Sequence, residues 1–418
     1  MKFIHAADIH LDSPLSGLAA YRDAPADLLR TVTRDAFTKL VDEAIEEAVD
    51  FMVIAGDLYD GSWKDYNTGH FFCREMGRLN IAGIPVYLLF GNHDADSEMT
   101  KRLTLPSNVH QFESRKANTF LIEELKVALH GRSYKDAATV ENLAVSYPAP
   151  VAGWLNIGVL HTALEGNSEH PNYAPCSLAE LNAKSYQYWA LGHVHEHAIL
   201  QKSPWVVFPG NLQGRHIRET GERGAIIVTA DETGIQSVER LLVDVLRWHM
   251  VDVDASDANT LEDVVRLVGR AFEQLIAKTP DKIYLSVRVC IKGKTAAHGE
   301  LFGLESQLRE EVLGQAAGQG IDRLWVEKVR IETEPIVDAA HMAKRSDAIA
   351  DLQRFLDEAP KDEALLASLL EDLLPLVNRV PIELIKNVPE LNAIRSGDVS
   401  DSVKSVTPSL LAYLAKLN

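Results

Sequence analysis

Before residue 240, five short apolar runs each end in side chains that can ligate a metal, and this repetition limits the possible folds more than any other feature of the chain. The runs are "KFIHAADIH", with Asp8 and His10; "FMVIAGDLYD", with Asp57; "PVYLLFGNHD", with Asn92, His93 and Asp94; "LNIGVLHTALEG", with His161; and "YQYWALGHVHEHAIL", with His193, His195 and His197. Helical patterns separate the first three, near 27–48 (Phe37, Leu40, Val41, Ala44 and Ile45 on one face) and near 66–79. Strand-helix-strand repetition of this kind marks an α/β domain whose loops at the strand ends carry the site. "TFLIEELKVALHGRSY" reads as a β-hairpin, and "AIIVTAD" and "QSVERLLVDV" as the closing strands. If the strand of the fifth run continues through its histidines, His193, His195 and His197 share one face.

A lone Asp at a strand end is ordinarily a turn or cap residue, and a lone His ordinarily sits at the surface or in a hydrogen-bonded core. Five such ends converging on one edge of a sheet carry more weight. Their mixture of carboxylate, amide oxygen and imidazole suits Mn²⁺, Fe²⁺ or Zn²⁺ better than Mg²⁺ or Ca²⁺. There are too many polar groups for one ion, so two metals sharing a bridging carboxylate are expected.

The ordered set "DIH", "GDLYD", "GNHD", "LHTALEG" and "GHVH" resembles that of the calcineurin-like metallophosphoesterases over roughly residues 1–225. Within them the chain most resembles the SbcD-type DNA repair nucleases, closest to their bacterial YhaO-like branch through "YWALGHVHEH" and "FPGNLQGRHIRETGERG". The resemblance implies an αββα sandwich of two sheets, with a small α/β cap domain and a helical C-terminal region. It implies two divalent ions, Mn²⁺ first and Fe²⁺ or Zn²⁺ as alternatives. Asp8, His10 and His195 would hold one, Asn92, His161 and His193 the other, and Asp57 would bridge them, leaving His197 a bystander. His93 would face the scissile phosphate and assist the leaving oxygen, with Asp94 orienting it. The implied activity is 3′-to-5′ exonuclease action on DNA with possible single-strand endonuclease action. The implied partners are DNA, an SbcC-type coiled-coil ATPase and a second copy of the chain. Asp60 stands where some relatives carry a histidine near DNA, and its role is left open.

In the loop after "FPGN", Arg215, Arg218 and Arg223, with His216 beside them, are candidates for phosphate-backbone contacts; the alternative is local pairing with Glu219 and Glu222. From about residue 247 a β-α-β-α-β pattern follows, including the amphipathic "NTLEDVVRLVGRAFEQLIAK" and a second helix near 300–315, and after Pro335 the chain is mostly helical. The expected domains are therefore 1–246, 247–335 as the cap and 336–418 as a partner-docking region. The stripe Leu365, Leu366, Leu369, Leu370, Leu373 and Leu374 serves either that partner or packing within its own domain.

A net charge of -18 argues against broad attraction to nucleic acid or anionic membranes, without excluding a local basic groove. The three cysteines, Cys73, Cys176 and Cys290, lie far apart and read as thiols of a cytoplasmic protein. No run is long enough for a membrane span, and the N-terminus is too short and polar for a signal peptide. Two other functions stay open. One is a member of the same superfamily acting on a small phosphodiester or phosphomonoester. The other is a non-catalytic scaffold holding an ATPase on DNA ends.

Overall fold

The structure, a computed structural model, describes residues 1–13, 25–60, 66–96, 104–164, 173–320, 323–336, 348–380, 385 and 388–416. The chain divides into two compact units, Met1–His249 with Asp281–Ser286, and Met250–Pro280 with Val287–Asn418.

The first unit holds two six-stranded sheets. In the first sheet β1 (Lys2–Ala6), β2 (Phe51–Ala55), β3 (Val86–Leu89) and β4 (Val109–Gln111) run parallel. The second has β5 (Asn118–Ile122) antiparallel to β6 (Val127–Gly131), followed in parallel by β7 (Leu155–His161) and β8 (Tyr188–Gly192). β9 (Ala198–Lys202) and β10 (Trp205–Phe208) complete that sheet, in the order β5-β6-β7-β8-β10-β9. β11 (Gly224–Asp231) and β12 (Gly234–Leu242) return antiparallel beside β1 to close the first sheet, β12-β11-β1-β2-β3-β4. Strand alternation sorts the side chains into layers. Phe51, Val53 and Ala55 of β2 join Val127, Leu129, Ile157, Val159 and Tyr188 between the sheets. Met52 and Ile54 face the other way, onto α1 (Ala26–Glu46) and α2 (Tyr66–Ile81), with Phe37, Leu40, Phe72 and Met76. Strands covered on both faces need an unbroken apolar run, which is why "FMVIA" is wholly buried. The outer face of the second sheet packs Trp189, Leu191 and Val206 against Leu143, Tyr147 and Leu181. This is the expected two-sheet αββα sandwich. β1, β2 and β3 are parallel in one sheet and β7 and β8 in the other, and the C-terminal ends of β2 and β7 meet, His161 Nδ1 lying 2.9 Å from the Ala55 carbonyl.

The fifth run departs from its reading as one strand. β8 ends at Gly192, the next residue, His193, has φ 100°, and β9 resumes only at Ala198. His193, His195 and His197 therefore lie in a loop and not on one strand face.

The second unit holds most of a three-stranded sheet, β13 (Leu246–Asp254), β14 (Tyr284–Thr295) and β15 (Leu324–Pro335). Its helix Leu261–Ala277 opens on a Thr260/Asp263 capping box and buries Leu261, Val264, Val265, Val268 and Phe272 along one stripe. The helix expected near 300–315 is two, His298–Gly303 and Glu305–Gly318, broken at Leu304 (φ -123°). In the C-terminal region Leu366, Leu369, Leu370 and Leu373 pack with Val377, Ile385, Ile394 and Val399. Four of the six stripe leucines are thus partly buried by internal packing. Among the described residues no helix is long and apolar enough to cross a membrane.

Candidate metal centre

The loops leaving β1, β2 and β8 turn through left-handed backbone: Asp8 (φ 50°), His10 (46°), Asp57 (51°) and His193 (100°). Aspartate and histidine adopt this region more readily than most non-glycine residues, so ligand chemistry and local geometry favour the same residue types here. The glycines beside them are required by close approach. A Cβ on Gly56 would lie 2.2 Å from Nδ1 of His161, and one on Gly91 would lie 2.4 Å from Oδ1 of Asp57.

The structure brings the seven residues expected as ligands together. Asp57 is central: Oδ1 accepts the His93 backbone N–H at 3.0 Å, and Oδ2 lies 3.4 Å from Nε2 of His161 and 3.9 Å from Nε2 of His10. On one side, Asn92 Oδ1 lies 3.0 Å from His161 Nε2, whose other ring nitrogen sits 2.9 Å from the Ala55 carbonyl. The His193 ring centroid lies 5.1 Å from that of His161. On the other side, Nε2 of His10 and Nε2 of His195 face each other at 3.2 Å, and both carboxylate oxygens of Asp8 accept the His193 N–H at 3.0 Å. Ligand atoms of Asp8, His10 and His195, and of Asp57, His161 and His193, lie within 4.8 Å of one another in each set. His197 is outside, its Nδ1 3.1 Å from the Phe208 carbonyl.

The donor set fits divalent cations. Two imidazole nitrogens on one ion at about 2.0–2.1 Å each fall a little over 3 Å apart, as those of His10 and His195 do. The charges point the same way. Burial pushes the Asp8 carboxyl up to about 6, against the pull of His161 and His195. Burial would discharge His161 too, but Asp57 holds its pKa up at about 9. Asp57 is itself held well below the usual carboxylate range, its burial outweighed by His161 and His10. Buried carboxylates that crowd one another and draw protons onto neighbouring imidazoles form a centre that a cation stabilises.

His93 stands at the mouth, 41% exposed at its side chain, with Nδ1 3.1 Å from Asp60 Oδ1. The Ser13 hydroxyl donates to the other Asp60 oxygen at 2.7 Å. Asp60 raises the His93 pKa through that hydrogen bond, and His93 lowers that of Asp60. This corrects the expected role of Asp94. Its buried carboxylate accepts the backbone N–H groups of Leu58, Tyr59 and Gly91, tying two loops together, and burial with Asp57 nearby pushes its pKa up to about 7. The carboxylate on the His93 ring is Asp60.

The arginine loop is also corrected. Arg223 is 2% exposed and donates to the His195 carbonyl, Asn211, Glu196 and the Thr220 carbonyl, so it is not placed to meet a phosphate. Arg215 pairs with Glu219 at 3.0 Å, and Arg218 is exposed. Glu219, read from sequence only as a partner for these arginines, lies 2.9 Å from Nδ1 of His195. Burial would raise its pKa, but His195 and Arg215 hold it well below the usual range. No local signal pairs Glu219 with His195, because the β9–β10 hairpin lies between them.

Residues 1–197 match the family described as calcineurin-like phosphoesterase, and residues 248–334 match that described as the middle domain of metallophosphoesterase YhaO. The chain is 33% identical over 340 residues to the uncharacterized metallophosphoesterase YhaO of Bacillus subtilis (strain 168), covering 80% of this chain and 82% of that protein. The chain belongs to the calcineurin-like metallophosphoesterases. It is also similar to the DNA double-strand break repair protein Mre11 of Methanopyrus kandleri, 26% identical over 98% of this chain and 87% of that protein. A solved dimetal phosphatase from Danio rerio covers 58% of this chain and 98% of its own at 13% identity and TM-score 0.34. As a metallophosphoesterase the chain falls in a hydrolase superfamily, and its Asp/His clusters have the donors to take divalent ions.

Proposed function

We propose that this metallophosphoesterase is a DNA phosphodiesterase, a 3′-to-5′ exonuclease with single-strand endonuclease capacity, working in DNA repair. The observation that carries the chemistry is the position of Asp57 Oδ2 between His10 and His161, with His93 at the mouth. In this reading Asp8, His10 and His195 hold one ion, Asn92, His161 and His193 hold the second, and Asp57 serves both. When bound, the ions supply Lewis acidity, activating water near neutral pH and neutralising the phosphodiester as charge develops. His93 does what a cation cannot: held by Asp60 at Nδ1, it presents its other ring nitrogen to the leaving oxygen as a proton donor. The Mre11 relative supports DNA as the substrate.

The same reading makes residues 1–246 the nuclease domain, 247–335 the cap that guides DNA and 336–418 the docking region for an SbcC-type coiled-coil ATPase. The match of 248–334 to a middle-domain family supports the second of these. Mn²⁺ as the working metal, homodimer formation and a cytoplasmic location belong to it as well. Of the arginines, Arg215 and Arg218 remain in the proposal as backbone contacts.

The test is end-labelled linear duplex DNA incubated with the purified chain and Mn²⁺, with a chelator control and His93→Ala alongside. Shortening from the 3′ ends, abolished by the chelator and lost in the variant, is expected. Hydrolysis of an aryl phosphodiester without any DNA cleavage would move the substrate to the small-molecule class. Unchanged DNA cleavage by His93→Ala would remove the role given to that residue.

A further inference from the structure

The two sides of the metal centre are braced by different means. His161 sits against the Ala55 main-chain carbonyl, and Asn92, on the same side, is a neutral ligand. On the other side, Nδ1 of His10 is buried with no hydrogen bond among the described residues. His195 stands partly exposed, outside the sheet, in the loop that follows β8. What braces it is the segment 211–223. Glu219 meets its ring at Nδ1, at 2.9 Å, the Arg215 guanidinium lies 3.2 Å from the same nitrogen, and Arg223 donates to its main-chain carbonyl. Glu219 is itself fixed, accepting from the Arg215 backbone N–H at 2.7 Å, the Asn211 amide at 2.9 Å and the Arg215 guanidinium at 3.0 Å. With Nδ1–H donating to a carboxylate, the tautomer is set and Nε2, the atom facing His10, keeps its lone pair for a metal.

We infer that Glu219 is a positioning residue for His195, and that the ion held by Asp8, His10 and His195 depends on it while the ion held by Asn92, His161 and His193 does not. The inference rests on the two-metal reading. Its physical basis is that the first set has one braced imidazole out of two, and the carboxylate on that ring comes from a single side chain. The second set is braced at His161 by main chain, which no side-chain substitution elsewhere removes. The segment read from sequence as either a phosphate-contacting loop or a site of local pairing with Glu219 and Glu222 is thereby a support for the metal centre.

The experiment is calorimetric titration of chelator-stripped full chain with Mn²⁺, for the natural protein, Glu219→Ala, Glu219→Gln and Arg215→Ala, with a thermal melt of each. The natural protein is expected to take two ions. Glu219→Ala should weaken one site by about 10- to 100-fold and leave the other within roughly twofold, as losses of such outer partners do elsewhere. Glu219→Gln keeps an oxygen for the His195 N–H but loses the charge, and should fall between. Raising Mn²⁺ should restore phosphodiester hydrolysis by Glu219→Ala toward the natural kcat. Arg215→Ala leaves the carboxylate on His195 and should still take two ions. Two ions of unchanged affinity in Glu219→Ala would overturn the inference, as would equal weakening of both sites in a variant that melts normally. If Glu219→Ala does not fold, Glu219→Gln decides: selective weakening supports the inference and unchanged binding overturns it. A natural protein that takes fewer than two ions would instead overturn the two-metal reading itself.

Discussion

On one side of Asp57, His161 is wholly buried in β7, its ring against Tyr134 and its Nδ1 on a main-chain carbonyl of β2. On the other, His195 is 18% exposed and takes its bracing from Glu219, 24 residues further along the chain. The first arrangement is built by the sheet. Once the apolar strands pair in register, His161 and Ala55 have no other place to go. The second is assembled from loops, and the hydrogen bond to its ring joins two side chains whose positions the sheet does not dictate. A ligand held by main chain is robust to substitution elsewhere, whereas a ligand held by one carboxylate can be tuned or lost through that carboxylate.

The largest way to break this contrast is to remove the residue both sides share. Asp57→Asn leaves the backbone N–H of His93 an acceptor but takes away the negative charge between His10 and His161. Metal titration should show both ions weakened together and hydrolysis at the uncatalysed background; loss of one ion alone would mean that Asp57 does not bridge. Next comes His93→Ala, which should lower kcat by roughly 10²- to 10⁴-fold, the usual contribution of a positioned proton donor, with both ions still bound. Asp60→Asn should cost less, on the order of 10-fold, because an amide oxygen can still meet the His93 ring. It should also shift the limb of the pH–rate profile assigned to His93 downward, since Asp60 is what raises that group. Asp94→Asn gives the sharper comparison: if it moves that limb more than Asp60→Asn does, the carboxylate that governs His93 has been misassigned.

The difference between the two sides also explains what could be read in advance. Strand positions and the convergence of the expected ligands were legible because strands buried on both faces must be apolar, and these residues stand where the apolar runs stop. Asp60, whose role was left open, stands where Asp94 was expected, because spacing places residues in a loop without saying which way each side chain turns. Asp94 turns inward to three backbone N–H groups, and Asp60 turns to His93. Arg223 misled for the same reason, being spent on the His195 carbonyl and its neighbours. Glu219 was legible only as a partner for the loop arginines, since its meeting with His195 exists only after β9 and β10 have folded back.

The smallest expected effect concerns a histidine that belongs to neither side. His5, in β1, is as buried as His10, but its Nδ1 lies 3.0 Å from the Tyr188 hydroxyl and its Nε2 3.0 Å from the Leu191 carbonyl. Both nitrogens are therefore used within the sandwich, and burial lowers its pKa to about 3 from the ordinary 6.5. Between those values the unfolded chain binds a proton at this position and the folded chain does not. Its contribution to stability is thus full above pH 6.5 and is lost progressively as pH falls toward 3, a change of roughly a few kcal/mol. Denaturant midpoints measured from pH 7 to 4 should decline, and His5→Asn, less stable at pH 7, should decline less steeply. Parallel declines would place the acid sensitivity in the Asp and His clusters of the metal centre, and saturating Mn²⁺ would then be expected to flatten both.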